Sequence, residues 1–270
     1  MSEKEMTFWD HLEELRWTIF RSVIALFVFT IAGFVVMPWL FDRVIMAPCS
    51  PDFFLYEYMC RVSRILPFFP DFCDQTLQIE IINIRLTSQF FFHITTSFWL
   101  ALILTCPYLL FEVWRFISPA LYDHERRNTL WVFFFGTIMF FVGCVIGYCA
   151  VFPMTLRFLY TYELSTLINN QLSLDSYMDT FLMMIFIMGI VFEMPLLSYF
   201  LSKLGVLRRS FFRKYRRHAI LVLLILAAVI TPTGDPFTLS IVFLPLYILY
   251  EFSAVLVKKD TFSEEMENRS

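Results

Sequence analysis

The sequence predicts an all-α integral membrane protein with six transmembrane helices, both termini cytoplasmic and the last two helices short. Three observations predict it. First, 59% of the 270 residues are hydrophobic and 17% are charged, and mean hydropathy is +0.67. A soluble domain is roughly 45–50% apolar and roughly 25% charged, so this chain has too little polar surface to cover itself in water. Second, the apolar residues gather into six runs, about 18–38, 86–111, 129–152, 177–201, 219–231 and 237–257. Most are too long for a barrel strand and lack its alternation. Helices, which satisfy every backbone group internally, are what lipid permits. Third, the basic residues sort by side: 16 of the 21 Lys and Arg fall with the termini and the even-numbered loops, and 5 with the odd-numbered loops. The positive-inside rule then places both termini in the cytoplasm. A net charge of -3 and only 7 Gly exclude a nucleic-acid binder and Gly-rich phosphate loops. The composition also excludes a disordered chain and a typical cytosolic enzyme.

Residues 1–257 read as a single membrane domain and 258–270 as a disordered cytoplasmic tail. The acidic N-terminus lacks the basic region of a signal peptide, so none is expected. Thr7 and Asp10 fit a helix start, and Phe8, Leu12, Leu15 and Ile19 share one face. A helix along the cytoplasmic interface is expected there, turning into the first span. Loop one, 39–85, is rich in Phe, Pro and Tyr and reads as an ordered external cap. It holds Cys49, Cys60 and Cys73, among which one bridge can form in an oxidising compartment. The second span carries Gln89, His93, Thr96 and Ser97 as a polar stripe, which suits interhelical hydrogen bonds better than ligand chemistry. In the third, Gly143 and Gly147 form a GxxxG suited to close helix packing. Loop two, Tyr122 to Arg127, is short and mixed in charge, and reads either as a solvated connector or as a docking point for a basic ligand. Loop four has seven basic residues and no acid, which suits anionic lipid headgroups.

The fourth span contains Glu193 two residues before Pro195. An acid near the centre of a span costs about 2.5–3.5 kcal/mol on the insertion scale, and the proline frees a carbonyl one turn earlier. Glu193 is therefore either a functional group or a protonated acid bonded to a neighbouring helix. The run 219–231 has only 13 residues, about 20 Å of helix. A turn from Thr231 to Pro236 joins it to the last run, giving a short hairpin or a re-entrant loop. Glu251, late in the last run, is expected to snorkel to the cytoplasmic surface. The sequence has no HExxH, GxSxG or Walker A motif, and its four His form no metal set. No cofactor or metal is expected, and the chain does not read as an enzyme. From these residues alone, a proton-coupled small-molecule transporter using Glu193 is one reading of function.

Five segments together resemble the TatC family, the multispanning subunit of the twin-arginine protein translocase. They are His11 to Arg16 (HLEELR), Ala47-Pro48, Trp114 to Arg127 (WRFISPALYDHERR), Phe192 to Pro195 (FEMP), and Thr231-Pro232 with Asp235. The order is consistent from about 7 to 257. Trp17 and Thr18 after Arg16, Asp123 before the HER, and a long loop one depart from the pattern. The resemblance implies a receptor in the bacterial inner membrane that binds twin-arginine signal peptides of folded cargo. It also implies single-span TatA and TatB partners, self-association, and export driven by the proton-motive force. By the same resemblance, Glu14, Arg16, Glu125 and Arg126 belong to signal-peptide binding. Glu193, with Gln89, is intramembrane and partner-facing, and Pro48, Thr231, Pro232 and Asp235 are partner contacts or structural positions.

Overall fold

In the computed structural model, residues 8–51, 53–65, 79–117, 123–162, 165, 170–203, 205–231 and 234–257 are described, without the side chains of 8, 10, 11, 62, 63, 65, 117 and 123–129. Thr7, Cys73, Pro232 and the tail from 258 lie outside these residues. The described chain is almost wholly helical: α1 (Phe8–Leu40), α2 (Phe54–Ile65), α3 (Ser88–Ile117), α4 (Asp123–Ile146), α5 (Phe152–Thr161), α6 (Leu174–Val191), α7 (Met194–Lys203), α8 (Arg209–Ile230) and α9 (Pro236–Leu256). Five helical stretches among the described residues are long and apolar enough to cross a membrane: Leu12–Arg61, Ser88–Phe116, Leu130–Thr161, Leu174–Lys203 and Pro236–Leu256. α8 is not one of them. Its first half carries Arg209, Arg213, Lys214, Arg216 and Arg217, so only the stretch from Ala219 to Ile230 is apolar.

Two expectations are corrected. The interfacial helix does not turn before the first span: α1 is one unbroken helix of 33 residues. Glu-Glu-Leu-Arg favours helix, lipid requires it of the apolar run that follows, and no Gly or Pro interrupts the two before Gly33. Nor is the last helix short. α9 has 21 residues, about 30 Å at 1.5 Å per residue.

The chain divides into two compact units. In the first, residues 8–40 and 90–138, α1 packs along α3. Gly33 lets the backbones close, since a Cβ there would lie 3.2 Å from the Ser97 carbonyl oxygen. His93 stacks on the Phe34 ring at 3.9 Å, and its Nε2 donates to the Phe34 carbonyl at 2.9 Å. Ser97 donates to the His93 carbonyl at 2.6 Å. This part of the predicted polar stripe thus makes interhelical and backbone bonds.

In the second unit, residues 41–89 and 139–257, α6 packs on the π-helical turn Gly147–Val151 that joins α4 to α5. A Cβ at Gly143 would sit 2.6 Å from the Met188 carbonyl oxygen, and one at Gly147 would sit 3.1 Å from the Ile185 Cα. The GxxxG is a helix-packing face, as its spacing predicts. After α1 the chain makes a π turn (Phe41–Ile45) and a 3-10 turn (Ala47–Cys49). Three tyrosines hold this turn. The Tyr148 hydroxyl donates to the Val44 carbonyl at 2.8 Å, Tyr177 to that of Ile45, and Tyr56 to that of Pro48. The buried Arg157 guanidinium lies 3.8 Å from the centre of the Tyr56 ring. A short parallel bridge pairs Ile81 with Leu172 and Ile82 with Ser173. Of the loop-one cysteines, Cys60 is disulfide-bonded and Cys49 is a buried free thiol.

Candidate functional site

The charged end of the first unit is built on α1, α3 and the start of α4. On α1, Glu13 and Arg16 form an exposed ion pair at 3.6 Å, of a kind worth about 0–1 kcal/mol. Glu14, the next residue, is half-buried and makes no ion pair with a described residue. Two turns further on, Arg21 reaches across to α3. Its Nε and Nη2 donate to the two Glu112 oxygens at 3.1 and 2.9 Å, and the Tyr108 hydroxyl donates to Oε1 at 2.8 Å. Arg21 Nη2 also lies 3.3 Å from Thr18 Oγ1. Glu112 is only 2% exposed. A buried carboxylate is tolerated when a planar, bidentate guanidinium meets it and its remaining lone pairs are filled. The polypeptide then leaves α3 at Ile117 and enters α4 at Asp123. Glu125 and Arg126 therefore fall in the first turn of α4, and their side chains lie outside those described.

Of the predicted binding residues, Glu14 and Arg16 thus share one helix, with Arg16 drawn to Glu13. Arg21 and Glu112 did not emerge from the sequence as a pair. The available signal was a base inside one apolar run and an acid directly after the end of another, a setting in which ionisable groups pair with one another.

The remaining predicted residues are in the second unit. Glu193 sits where α6 gives way to α7, in a turn closed by Phe192 N–H to the Met188 carbonyl at 3.1 Å and Glu193 N–H to that of Ile190 at 3.0 Å. Pro195, with no N–H to donate, produces the break. Both Glu193 carboxyl oxygens are buried and have no hydrogen-bond partner among the described residues. Gln89 is exposed in the first turn of α3. Pro48 is buried in the turn that the tyrosines hold. Thr231 caps the end of α8 and is 3% exposed. Gly234 adopts φ +58, and Asp235 caps α9 by accepting from the Thr238 N–H at 2.7 Å. Pro236 follows at the first helical position, where a missing N–H costs nothing. Asp235 therefore has a local structural task whatever else it contacts. Glu251 faces Arg216 of α8 at 2.6 Å rather than standing alone, and the Tyr247 hydroxyl accepts from Arg216 at 2.9 Å. These two neighbours raise the Arg216 guanidinium above its ordinary pKa, the Tyr247 hydroxyl first.

The comparisons with known proteins identify the family. The family model described as Sec-independent protein translocase protein (TatC) matches residues 10–245. A TatC protein of Blattabacterium sp. subsp. Periplaneta americana is 36% identical over 252 residues, covering 93% of this chain and 94% of the relative. One from Koribacter versatilis is 34% identical, covering 93% and 84%. A crystal structure described as the twin arginine translocase receptor TatC in DDM superposes with a TM-score of 0.73 at 29% identity, covering 92% of this chain and 99% of that one. A second crystal structure of that receptor gives a TM-score of 0.70, also at 29% identity. The chain belongs to the TatC family: it is a multi-pass membrane subunit of a Sec-independent protein translocase, a transport component and not an enzyme.

Proposed function

We propose that this chain is the receptor of a twin-arginine translocase and that the charged end of its first unit binds the signal peptide of folded cargo. Glu14 and Glu125 receive the two arginines, with Arg16 and Arg126 setting the local charge. The observation that carries the reading is the state of the α1 acids. Glu13 is matched by Arg16, whereas Glu14 is half-buried and free of any ion pair to a described residue. A partly desolvated carboxylate favours the planar fork of Arg over the point charge of Lys. In this reading the chain spans the bacterial inner membrane six times as a single membrane domain, with both termini cytoplasmic and α8 as the shortened span. TatA-like and TatB-like single-span partners, and further copies of this chain, assemble on it. The proton-motive force drives export, and Glu193 with Gln89 faces the partners. A small-molecule transporter using Glu193 is set aside, because the relatives are protein-translocase components.

The test is photocrosslinking in export-competent inverted membrane vesicles, with a probe in loop two beside Glu125. A signal peptide bearing Arg-Arg is expected to crosslink and one bearing Lys-Lys is not. Equal crosslinking of both, or none of either, would overturn the receptor reading.

A further inference from the structure

We infer that the Arg21–Glu112 pair is a positioning device that sets the geometry of signal-arginine recognition and so determines the preference for Arg over Lys. The inference rests on the receptor reading above. Arg21 lies seven residues after Glu14 on α1, two turns along the same face and about 10 Å away. Glu112 lies five residues before Ile117, where α3 ends ahead of the α4 turn that carries Glu125. The pair therefore ties α1, which presents Glu14, to α3, whose C-terminal end precedes the α4 turn that carries Glu125. The tie is specific. Three donated hydrogen bonds of 2.8 to 3.1 Å converge on Glu112, and the Arg21 side chain remains 31% exposed while that of Glu112 is 3% exposed. Glu112 also lines, with Leu15, Thr18 and Phe116, a cleft of about 370 Å³ that begins one residue after Glu14.

Bidentate recognition of a guanidinium needs the accepting oxygens held within about 0.5 Å and 10–20°. A lysine ammonium, a compact charge with rotatable donors, tolerates looser placement. Loosening the α1–α3 tie therefore harms Arg-Arg binding more than Lys-Lys binding. A tie that served only stability would change neither preference.

The experiment measures affinities of fluorescent Arg-Arg and Lys-Lys signal peptides for the full chain in detergent. The central variant is Arg21→Met with Glu112→Leu. Replacing a buried ion pair by apolar residues of similar size is often neutral for stability, while it removes the hydrogen-bonded register. We expect an unchanged thermal transition and a drop of about tenfold in the Arg-Arg to Lys-Lys ratio, the size of one charge-assisted hydrogen bond. An unchanged ratio in this folded variant overturns the proposal. Should the variant fail to fold, the exchanged pair Arg21→Glu with Glu112→Arg must recover folding and at least half of the logarithmic preference; anything less overturns the proposal. Glu14→Gln separates the two levels. If it abolishes the preference while the Met/Leu variant keeps it, only the positioning role fails. If Glu14→Gln itself keeps the preference, the receptor site fails and the positioning role fails with it.

Discussion

Gly143 should not tolerate even one added methyl group. A Cβ there would stand 2.6 Å from the Met188 carbonyl oxygen and 2.8 Å from the Phe192 side chain. Non-bonded heavy atoms prefer about 3.5–4.0 Å, so α4 must withdraw from α6 by roughly 1 Å to admit it. The first obstacle is a backbone oxygen, which cannot swing aside as a side chain could. A radial gap of about 0.5–1 Å forfeits a quarter to a half of each contact that it opens. Neighbouring contacts open as well, because a Cβ on Gly147 would already lie 3.1 Å from Ile185 Cα. Overpacking of this kind costs typically 1–3 kcal/mol, and we expect Gly143→Ala near 2 kcal/mol within that range. Gly147→Ala, whose nearest obstacle is 0.5 Å further off than that of Gly143, should cost about 1 kcal/mol. The assay is reversible unfolding of the full chain in mixed micelles by SDS titration, followed by circular dichroism. Gly143→Ala within about 0.5 kcal/mol of the parent, or less damaging than Gly147→Ala, would refute the packing argument.

Asp235→Ala should lose about 1 kcal/mol in the same unfolding assay, and Asp235→Ser should recover most of it, because the Thr238 N–H needs only a capping oxygen. Tyr177→Phe leaves the Ile45 carbonyl without its donor in a buried turn and should cost about 1–3 kcal/mol; a loss under about 0.5 kcal/mol would show that water replaces the hydroxyl. Glu251→Gln should change stability by no more than about 1 kcal/mol, since the partner Arg216 is half-exposed. Glu14→Ala and Glu125→Ala should abolish the Arg-Arg crosslink while membrane insertion, read by protease protection, is unchanged. Thiol labelling of intact protein should leave Cys60 unmodified until reductant is added.

Much of the fold was legible because membrane helices announce themselves locally. The GxxxG of Gly143 and Gly147 marked a packing face, Pro195 marked the break at Glu193, and the turn of Thr231 to Pro236 marked the last hairpin. The continuity of α1 was missed because an amphipathic start followed by an apolar run reads the same whether the helix bends at the interface or not. At the candidate site, the acids Glu14 and Glu193 could be singled out, one by motif and one by the cost of its setting. Their pairing states could not. That Arg21 rather than Arg16 meets a buried acid depends on the register of α1 against α3, a tertiary fact. The tyrosine grip on the turn after α1 was likewise invisible, because hydroxyls 104 and 132 residues downstream of their carbonyls leave no local pattern.

That grip carries a consequence for biogenesis. The turn following the first span is synthesised early, yet two of the hydroxyls that fasten it, those of Tyr148 and Tyr177, arrive only with α4–α5 and α6. Until residue 148 has emerged the Val44 carbonyl, and until residue 177 the Ile45 carbonyl, must be served by water or by the insertion machinery. Contacts of such long sequence separation form late. Nascent chains stalled before α6 should therefore keep this turn open to protease, and chains stalled after it should shield it. The turn after α1 would then act as a checkpoint that closes only when α6 has docked.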